Sequence, residues 1–340
     1  MSDRKRDLLG AAAVSGAAPV TIDDVRAARA RIEGKIRRTP VLRSSTLDEL
    51  FGARLFFKCE NFQRAGVFKS RGAFNSVFSL SDADARHGVV TSSSGNHAAA
   101  ISLAARTRDI RAYIAMPKNA LKSKVAAVQR YGGEIVWVDA VGDTPTTEEY
   151  DATVARVQAE TRASLVHPYN DRRTIAGQGT CTLEFLEECS DLDVVLAPVG
   201  GGGLLSGTAV AASASRPGVR VVGCEPVMAD DAQRSLRAGR IVPQVAPRTI
   251  ADGLRTSLGD LTFAIISRSV EDIVTVTEES IVEAMRLAWS VLKIIIEPSS
   301  AVPLAALLER RIPIESKSVG MILTGGNVDI DRLPWAAAAK

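Results

Sequence analysis

The chain has 340 residues, of which 46% are hydrophobic and 24% charged, and its formal net charge is +3. This composition is typical of a soluble globular protein, and the length predicts two lobes rather than one core. No basic block stands out and no apolar run reaches the roughly 18 residues that span a bilayer, so we expect neither nucleic acid nor a membrane as a partner.

Residues 1–20 are basic and then rich in small side chains, and Gly10 and Ser15 interrupt them before any strong apolar segment. We interpret this stretch as a mobile N-terminal tail and residues 331–340 as a C-terminal tail. The four cysteines form no CxxC pair and the three histidines are scattered, which argues against a zinc site. Reduced thiols in a cytoplasmic protein are therefore the expectation.

Short β-branched runs alternate with helical patterns along the rest of the chain. The predicted strands are 54–58, 88–92, 111–116, 134–138, 163–167, 193–198, 219–224, 272–276 and 319–324. The helical patterns between them include 98–108, 121–133, 147–162 and 277–293. This alternation predicts an α/β fold with mostly parallel strands and helices on both faces of the sheet.

The first glycine-centred turn that could bind a ligand is the run Gly200-Gly201-Gly202-Gly203, which lies between a predicted strand and a helix starting near Leu204. Successive backbone N–H groups and a helix N-terminus together form a cradle for phosphate. The sequence lacks the Gly-Lys-Ser/Thr ending of a Walker loop. A nicotinamide-dependent oxidoreductase stays open as a weaker alternative, because Glu225 ends the next strand although the glycine pattern is incomplete.

The strand at 88–92 leads to Ser92, Ser93, Ser94, Gly95 and Asn96, with a helix directly after them. Hydroxyls and free N–H groups at a helix N-terminus suit a carboxylate. His97 follows, and it could equally be a structural histidine.

Two further segments carry weaker signals. The strand at 319–324 ends at Thr324 before two glycines, and ligands of α/β proteins bind at such strand ends. Lys69 follows Phe68 in a segment that is neither a good helix nor a good strand. An amine in a dehydrated site has a lowered pKa and can act as a nucleophile or base, although a solvated loop lysine would fit the local sequence as well.

The order of these segments resembles the pyridoxal-phosphate enzymes of fold type II, the tryptophan synthase β-like fold with two open twisted parallel-sheet domains. Within them it is similar to the serine/threonine dehydratase and serine racemase group, from about Thr21 to Asp329. The motifs are KCENFQRAGVFKSRGA (58–73), SSSGNHAAA (92–100), GGGGLLSG (200–207) and TGGNVD (324–329). Shorter matching stretches are 37–47, 175–180, 250–254 and 296–301.

The resemblance implies a role for each motif. Lys69 would form the Schiff base with pyridoxal 5'-phosphate, Phe68 would pack beside the pyridine ring, and Thr324 would face the ring nitrogen. Asn96 would bond the cofactor's 3-hydroxyl. The phosphate would bind Gly200, Gly201, Gly202, Gly203 and Leu204. The substrate carboxylate would bind Ser93, Ser94, Gly95, Asn96 and His97.

The implied reaction is an α,β-elimination that converts serine, threonine or 3-hydroxyaspartate to a 2-oxo acid and ammonia. A hydroxyl rather than a carboxylate opposite the ring nitrogen leaves the cofactor a modest electron sink, which favours prompt elimination. The alternative is an amino-acid racemase with Lys69 and Ser94 on opposite faces of the substrate. A non-catalytic phosphometabolite binder with an inert Lys69 is a more distant alternative.

A second site is implied by the segment 224–235, which resembles the divalent-cation segment of serine racemases. Glu225 and Asp231 would supply carboxylates and Ala229 its backbone carbonyl, and these hard oxygen ligands suit Mg²⁺ or Ca²⁺. An acidic surface turn is the other interpretation of these residues.

Two departures from the family pattern put the substrate pocket in doubt, because Val67 replaces the usual serine and Ser70 replaces an apolar residue. Arg172 and Arg173 are candidates to bind a second substrate carboxylate, and solvated surface arginines are an equally good interpretation. The resemblance further implies a homodimer of chains with a large cofactor domain (21–82 plus 167–330) and a small substrate domain (83–166).

Overall fold

The computed structural model of the chain describes residues 19–142 and 145–335. The predicted N-terminal tail therefore lies outside the described residues except at Pro19 and Val20, and only 331–335 of the predicted C-terminal tail are described. Within these ranges no helix is both long enough and apolar enough to cross a lipid bilayer.

A six-stranded sheet forms one half of the molecule, in the order β1-β2-β10-β7-β8-β9. Only the short edge pair β1–β2 is antiparallel, and β7 and β10 are buried along their whole length, as central strands covered on both faces must be. These strands are β1 Val41–Leu42, β2 Arg54–Cys59, β7 Val194–Pro198, β8 Arg220–Pro226, β9 Asp272–Val276 and β10 Ser318–Leu323.

A four-stranded parallel sheet forms the other half, in the order β5-β4-β3-β6. All four strands come from one continuous stretch of chain, between 89 and 165. The predicted domain boundaries near 83 and 166 stay a prediction. The strands are β3 Val89–Ser92, β4 Ala112–Pro117, β5 Glu134–Val138 and β6 Ser164–Leu165.

Helices cover both sheets, and several begin with the capping signals that the sequence carries. Thr146 caps one helix in a reciprocal box with Glu149, and the Thr277 side chain caps another. The helices are α1 Ile22–Ile32, α2 Ser45–Phe51, α3 Lys69–Phe78, α4 Asp82–Ala85, α5 Asn96–Thr107, α6 Lys122–Arg130, α7 Thr147–Thr161, α8 Arg172–Glu188, α9 Gly203–Ser215, α10 Asp231–Ala238, α11 Asp260–Ser269, α12 Glu278–Leu287 and α13 Pro298–Leu308.

The mostly parallel α/β architecture is as predicted, and the differences are local. The predicted helix over 277–293 is α-helical only to Leu287, where a π-helical turn takes over and ends at Lys293 in the left-handed region, with φ of 60°. The predicted strand at 163–167 pairs over two residues only. Lys69 itself opens a helix, which the local sequence did not indicate.

Glycines bring three helices into backbone contact. A Cβ on Gly177 of α8 would lie 2.6 Å from the Cα of Gly72 in α3, and one on Gly207 of α9 would lie 2.5 Å from the backbone nitrogen of Gly179. Real Cβ atoms do not approach so closely, so α3–α8 and α8–α9 pack at a separation that only glycine permits. This contact fixes the start of α3, which carries Lys69, relative to α9, which begins at the glycine run.

A buried ionic cluster, which we call the Arg71 network, consists of Lys58, Glu60, Arg71 and Glu184. Arg71 binds Glu60 through Nε at 2.8 Å and Nη2 at 2.7 Å, and its Nη1 lies 3.1 Å from Glu184. Lys58 Nζ donates to Glu184 Oε1 at 2.5 Å. Burial would raise the pKa of Glu184, but Arg71 and Lys58 beside it lower that pKa overall. The network links β2, α3 and α8, and its central residue, Arg71, lies two residues after Lys69.

Arg71→Met should destabilise the protein strongly, because it leaves Glu60 and part of Glu184 buried without their cation. We expect a loss of about 3–5 kcal/mol in the free energy of unfolding, measured by urea denaturation of the cofactor-loaded protein. Arg26→Gln is the matched control, since Arg26 pairs with Asp23 on the exposed surface and should cost less than about 1 kcal/mol. Equal losses for both variants would contradict the proposed importance of the network.

Candidate active site

A cleft of about 940 Å³ lies at the carboxyl ends of strands from both sheets. Such strand ends are where α/β folds bind their ligands. The structure brings all four predicted motifs to this one cleft. The predicted residues that line it are Phe68, Lys69, Ser93, Ser94, Gly95, Asn96, His97, Gly200, Gly201, Gly202, Gly203, Leu204 and Thr324.

Lys69 is the first residue of α3, and its Nζ donates to the carbonyl of Pro168 at 2.8 Å. The amine also lies 5.3 Å from the centre of the Phe68 ring. Burial in these surroundings lowers the pKa of Lys69 from 10.5 to about 8. Near that pH a large fraction of the amine is unprotonated and available as a nucleophile or base.

The segment before Lys69 is tied to the strand end that carries Thr324. The Phe68 N–H donates to the Thr324 carbonyl at 2.9 Å, and Val67 pairs with Gly325 as an antiparallel bridge. Thr324 is almost completely buried. These backbone bonds hold the two motifs side by side, although 255 positions separate Lys69 from Thr324 in the sequence.

Asn96 opens α5 and is held by two side chains. Its Nδ2 donates to both carboxylate oxygens of Glu297, at 2.8 and 3.0 Å, and its Oδ1 accepts from Asn327 Nδ2 at 2.9 Å. Burial raises the pKa of Glu297 from 4.5 to about 7. Sequence reasoning included Glu297 only as part of the matching stretch 296–301, with no role, because nothing local places it beside Asn96.

The loop between β3 and α5 brings the N-terminus of α5 to the cleft. No side chain of the described residues caps the first turn of α5, whose N-cap is Gly95. Uncapped N–H groups at a helix N-terminus suit an anion. His97 is buried, and this burial lowers its pKa well below 6.5, so the imidazole is neutral.

The glycine run forms a second set of donors on the other side of the cleft. Gly202 has φ of 87°, and a Cβ on Gly201 would lie 2.4 Å from ring carbons of Tyr169. Along 19–142 and 145–335, no side chain caps the first turn of α9. The run therefore leaves a backbone-lined cradle that any side chain would fill, in the arrangement that binds phosphate.

His167 and Tyr169 are cleft residues that sequence reasoning missed. The Nδ1 atom of His167 accepts from the backbone N–H groups of Tyr169 at 3.3 Å and Asn170 at 2.9 Å. The Tyr169 ring contacts His167 edge-on at 4.7 Å and lies against Gly201. The stretch that follows the strand at 163–167 carries no motif that would have identified this turn.

Three sequence-based expectations about the pocket need correction. The Ser70 hydroxyl donates to the Arg64 carbonyl at 2.6 Å and does not line the cleft, and Val67 is buried away from it. These departures from the family pattern therefore do not reshape the pocket wall. Arg172 pairs with Asp24 at 3.3 Å and Arg173 with Asp171 at 3.2 Å, and neither arginine lines the cleft.

The predicted cation ligands lie together outside the cleft, and all three are fully buried. Glu225 accepts from the backbone N–H of Gln233 at 2.7 Å, and Asp231 Oδ2 accepts from that of Leu258 at 3.3 Å. Among the described residues, Asp231 Oδ1 has no hydrogen-bond partner. Burial raises the pKa of Glu225 well above its usual value and that of Asp231 to about 6. Ala229 lies between them in a 3₁₀ turn.

The chain is similar to known proteins in sequence and in fold. The model of the family described as pyridoxal-phosphate dependent enzyme matches residues 32–325. A β-hydroxyaspartate dehydratase from Paracoccus denitrificans is 51% identical over 315 residues, which cover 93% of this chain and 98% of that protein. An L-threo-3-hydroxyaspartate ammonia-lyase from Saccharomyces cerevisiae is 44% identical over 321 residues, which cover 94% of this chain and 97% of that protein.

Among solved structures, maize serine racemase superimposes with a TM-score of 0.89 at 47% identity, covering 94% of this chain and 97% of that one. The chain thus belongs to the family of pyridoxal-phosphate-dependent enzymes. The predicted family and fold class are confirmed, and this membership replaces the nicotinamide-dependent alternative. The amine of Lys69, the backbone cradle at the glycine run and the fixed amide of Asn96 fit an aromatic aldehyde with a phosphate tail.

Glu297 should make stability depend on pH. Because its folded pKa lies near 7 and its usual value is 4.5, the folded protein keeps a proton that the unfolded chain has released. Stability therefore falls as the pH rises from about 4.5 through 7, by about 3 kcal/mol at most. Glu297→Gln should remove this part of the slope in denaturation experiments between pH 5 and 8.

Glu283→Gln is the matched control, since Glu283 is exposed on α12 and should leave the slope unchanged. If Glu297→Gln keeps the wild-type dependence of stability on pH, the buried carboxyl does not titrate in this range.

Proposed function

We propose that the chain is a pyridoxal-phosphate-dependent ammonia-lyase that dehydrates a β-hydroxy amino acid to a 2-oxo acid and ammonia. One observation carries the proposal. The Lys69 amine, the glycine cradle and the loop at 92–97, which suits a carboxylate ligand, all line one cleft. The names of the relatives from Paracoccus denitrificans and Saccharomyces cerevisiae support 3-hydroxyaspartate as the first substrate to test, before serine and threonine.

The chain's own residues would hold the cofactor at four points. The N–H groups of Gly200–Gly203 and the start of α9 at Leu204 would bind the phosphate, and Asn96 would bond the 3-hydroxyl. Thr324 would face the ring nitrogen and Phe68 would pack beside the ring. When bound, the cofactor withdraws electrons from the substrate's α-carbon and so makes its proton removable.

Lys69 then acts on the substrate as a base. Its lowered pKa leaves the Lys69 amine able to accept the α-proton. The electrons of the broken C–H bond form the double bond between the α- and β-carbons, and the β-hydroxyl leaves as water after taking up a proton. The enamine product tautomerises and reacts with water to give the 2-oxo acid and ammonia.

Substrate orientation would come from the loop between β3 and α5. The uncapped N–H groups of the first turn of α5, with the hydroxyls of Ser93 and Ser94, suit the α-carboxylate. His97 stays neutral beside them and adds no competing charge.

Racemisation is a second candidate activity, because Ser94 lines the same cleft as Lys69. A hydroxyl and an amine on opposite faces could exchange protons with the α-carbon from both sides. The likeness to maize serine racemase favours including this activity in any assay.

Ser94→Ala should separate the two activities. Formation of D-serine from L-serine should fall by about 100-fold or more, the usual effect of losing an acid–base group, whereas 2-oxo acid release from the substrate whose α-proton faces Lys69 should change only a few-fold. Chiral chromatography and a 2-oxo acid assay measure the two products, with Lys69→Ala as the variant that loses both. Dominant D-product with little ammonia from the wild type would reverse the ranking of the activities.

We also propose a divalent cation, Mg²⁺ or Ca²⁺, at Glu225, Asp231 and the Ala229 carbonyl. The support is the pair of buried carboxylates and the Asp231 oxygen that the described residues leave without a partner. A cation would offset the repulsion and desolvation of this buried acidic pair. The ion would stabilise the fold rather than enter the cleft.

Removal of this ion should lower the thermal midpoint. At Ca²⁺ about 100-fold above its Kd, the ion should add about 2.7 kcal/mol of stability relative to protein treated with a chelator. Asp231→Asn should abolish the response, and Asp230→Asn is the control because Asp230 pairs with Arg234 at 2.7 Å instead. An unchanged midpoint of the wild type after chelation would exclude the site.

A homodimer and a cytoplasmic location complete the proposal. All four cysteines are buried and free, as a reducing compartment allows. Size-exclusion chromatography with light scattering tests the dimer.

A further inference from the structure

An ion pair between Lys124 and Asp252 lies in the cleft and has no part in the chemistry described above. Lys124 is on α6, which packs beside the four-stranded sheet, and Asp252 is in a 3₁₀ turn of the half that carries the glycine cradle. Lys124 Nζ lies 2.5 Å from Asp252 Oδ2, and both residues line the cleft. The pair therefore places a lysine cation inside the cleft in addition to Lys69.

The Lys124 ammonium lies beside the loop that would receive the α-carboxylate. A methyl group built on Gly95 would be 3.8 Å from Lys124 Nζ, with nothing else of the described residues within 4 Å. A substrate whose α-carboxylate sits on the N–H groups of this loop would thus carry its next substituents within reach of the ammonium. In 3-hydroxyaspartate one of those substituents is a second carboxylate, whereas serine and threonine have none.

The partner that Lys124 has now is easily replaced. The Lys124 side chain is 30% exposed and that of Asp252 40% exposed. Ion pairs with this access to water contribute little to stability, so exchanging the Asp252 carboxylate for a substrate carboxylate costs little. The exchange would leave Asp252 partly hydrated rather than buried and unpaired.

The arginines that could bind a second substrate carboxylate are less suited to this role than Lys124. Arg172 and Arg173 pair with Asp24 and Asp171 outside the cleft. Arg130 lines the cleft from the far end of α6, but it is exposed to solvent. Lys124 is the cation whose charged atom the structure places next to Gly95.

We propose that Lys124 is a specificity residue that binds the distal carboxylate of a dicarboxylic β-hydroxy amino acid, taking it in exchange for Asp252. The inference rests on the proposed ammonia-lyase function. It assigns the substrate class of the same cleft, namely 3-hydroxyaspartate rather than serine or threonine.

The test compares substrates in Lys124→Gln. The ratio of kcat/KM for 3-hydroxyaspartate to that for L-serine should fall about 10-fold to 100-fold, the usual cost of one charged hydrogen bond, mainly through KM. Lys122→Gln is the matched control, because Lys122 is on the same helix, exposed and outside the cleft lining. Asp252→Asn should shift the ratio the other way, since it frees the ammonium.

Binding without turnover gives a second readout. Succinate should raise the thermal midpoint of the cofactor-loaded wild type and of Lys122→Gln more than butyrate does, and Lys124→Gln should lose this difference. An unchanged substrate ratio in Lys124→Gln, or a ratio shifted by Arg130→Gln instead, would overturn the proposal. If Lys124→Gln and Asp252→Asn each lower kcat/KM equally for both substrates, the ion pair only joins the two halves of the molecule.

These outcomes are distinct from failure of the proposed function. If the wild type releases no 2-oxo acid from any of the three substrates, the ammonia-lyase assignment itself is wrong.

Discussion

The Arg71 network is the interaction on which the position of Lys69 depends. Its four charged groups are almost completely buried. Loss of any partner would leave a buried charge uncompensated and would destabilise the fold. Arg71 lies two residues after Lys69, at the start of α3, and its partners come from the turn directly after β2 and from α8. The network therefore fixes where α3 begins, and with it the point from which the Lys69 amine enters the cleft. A cluster of buried charges is weak evidence for stability but good evidence for a single arrangement.

Helix packing then carries that arrangement across the molecule. Because α3 contacts α8 at Gly72 and Gly177, and α8 contacts α9 at Gly179 and Gly207, the backbones are as close as chain atoms allow. The amine at one end of this series and the phosphate-type cradle at the other cannot shift independently. A small cofactor that must meet both groups at once requires such a fixed separation.

Much of the site was predictable because its parts are local. A glycine run between a strand and a helix, or hydroxyls before a helix, has its backbone geometry set within a few residues. The roles of Glu297 and Asn327 could not be found in this way, since each contacts Asn96, which is distant in the sequence. The same limit explains the errors: Arg172 and Arg173 looked free because Asp24, one of their partners, lies on another helix.

The sequence by itself determined the α/β class, the family resemblance and the main residues of the cleft, because strand–helix alternation and glycine-centred turns are encoded by neighbouring residues. Only the tertiary structure decided which side chains share the cleft, that Ser70 turns away from it, and that Lys124 reaches Gly95. Those facts depend on contacts between segments far apart in the chain. Burial, which shifts the pKa of Lys69 and of Glu297, is likewise a property of the packed molecule and of no single stretch of sequence.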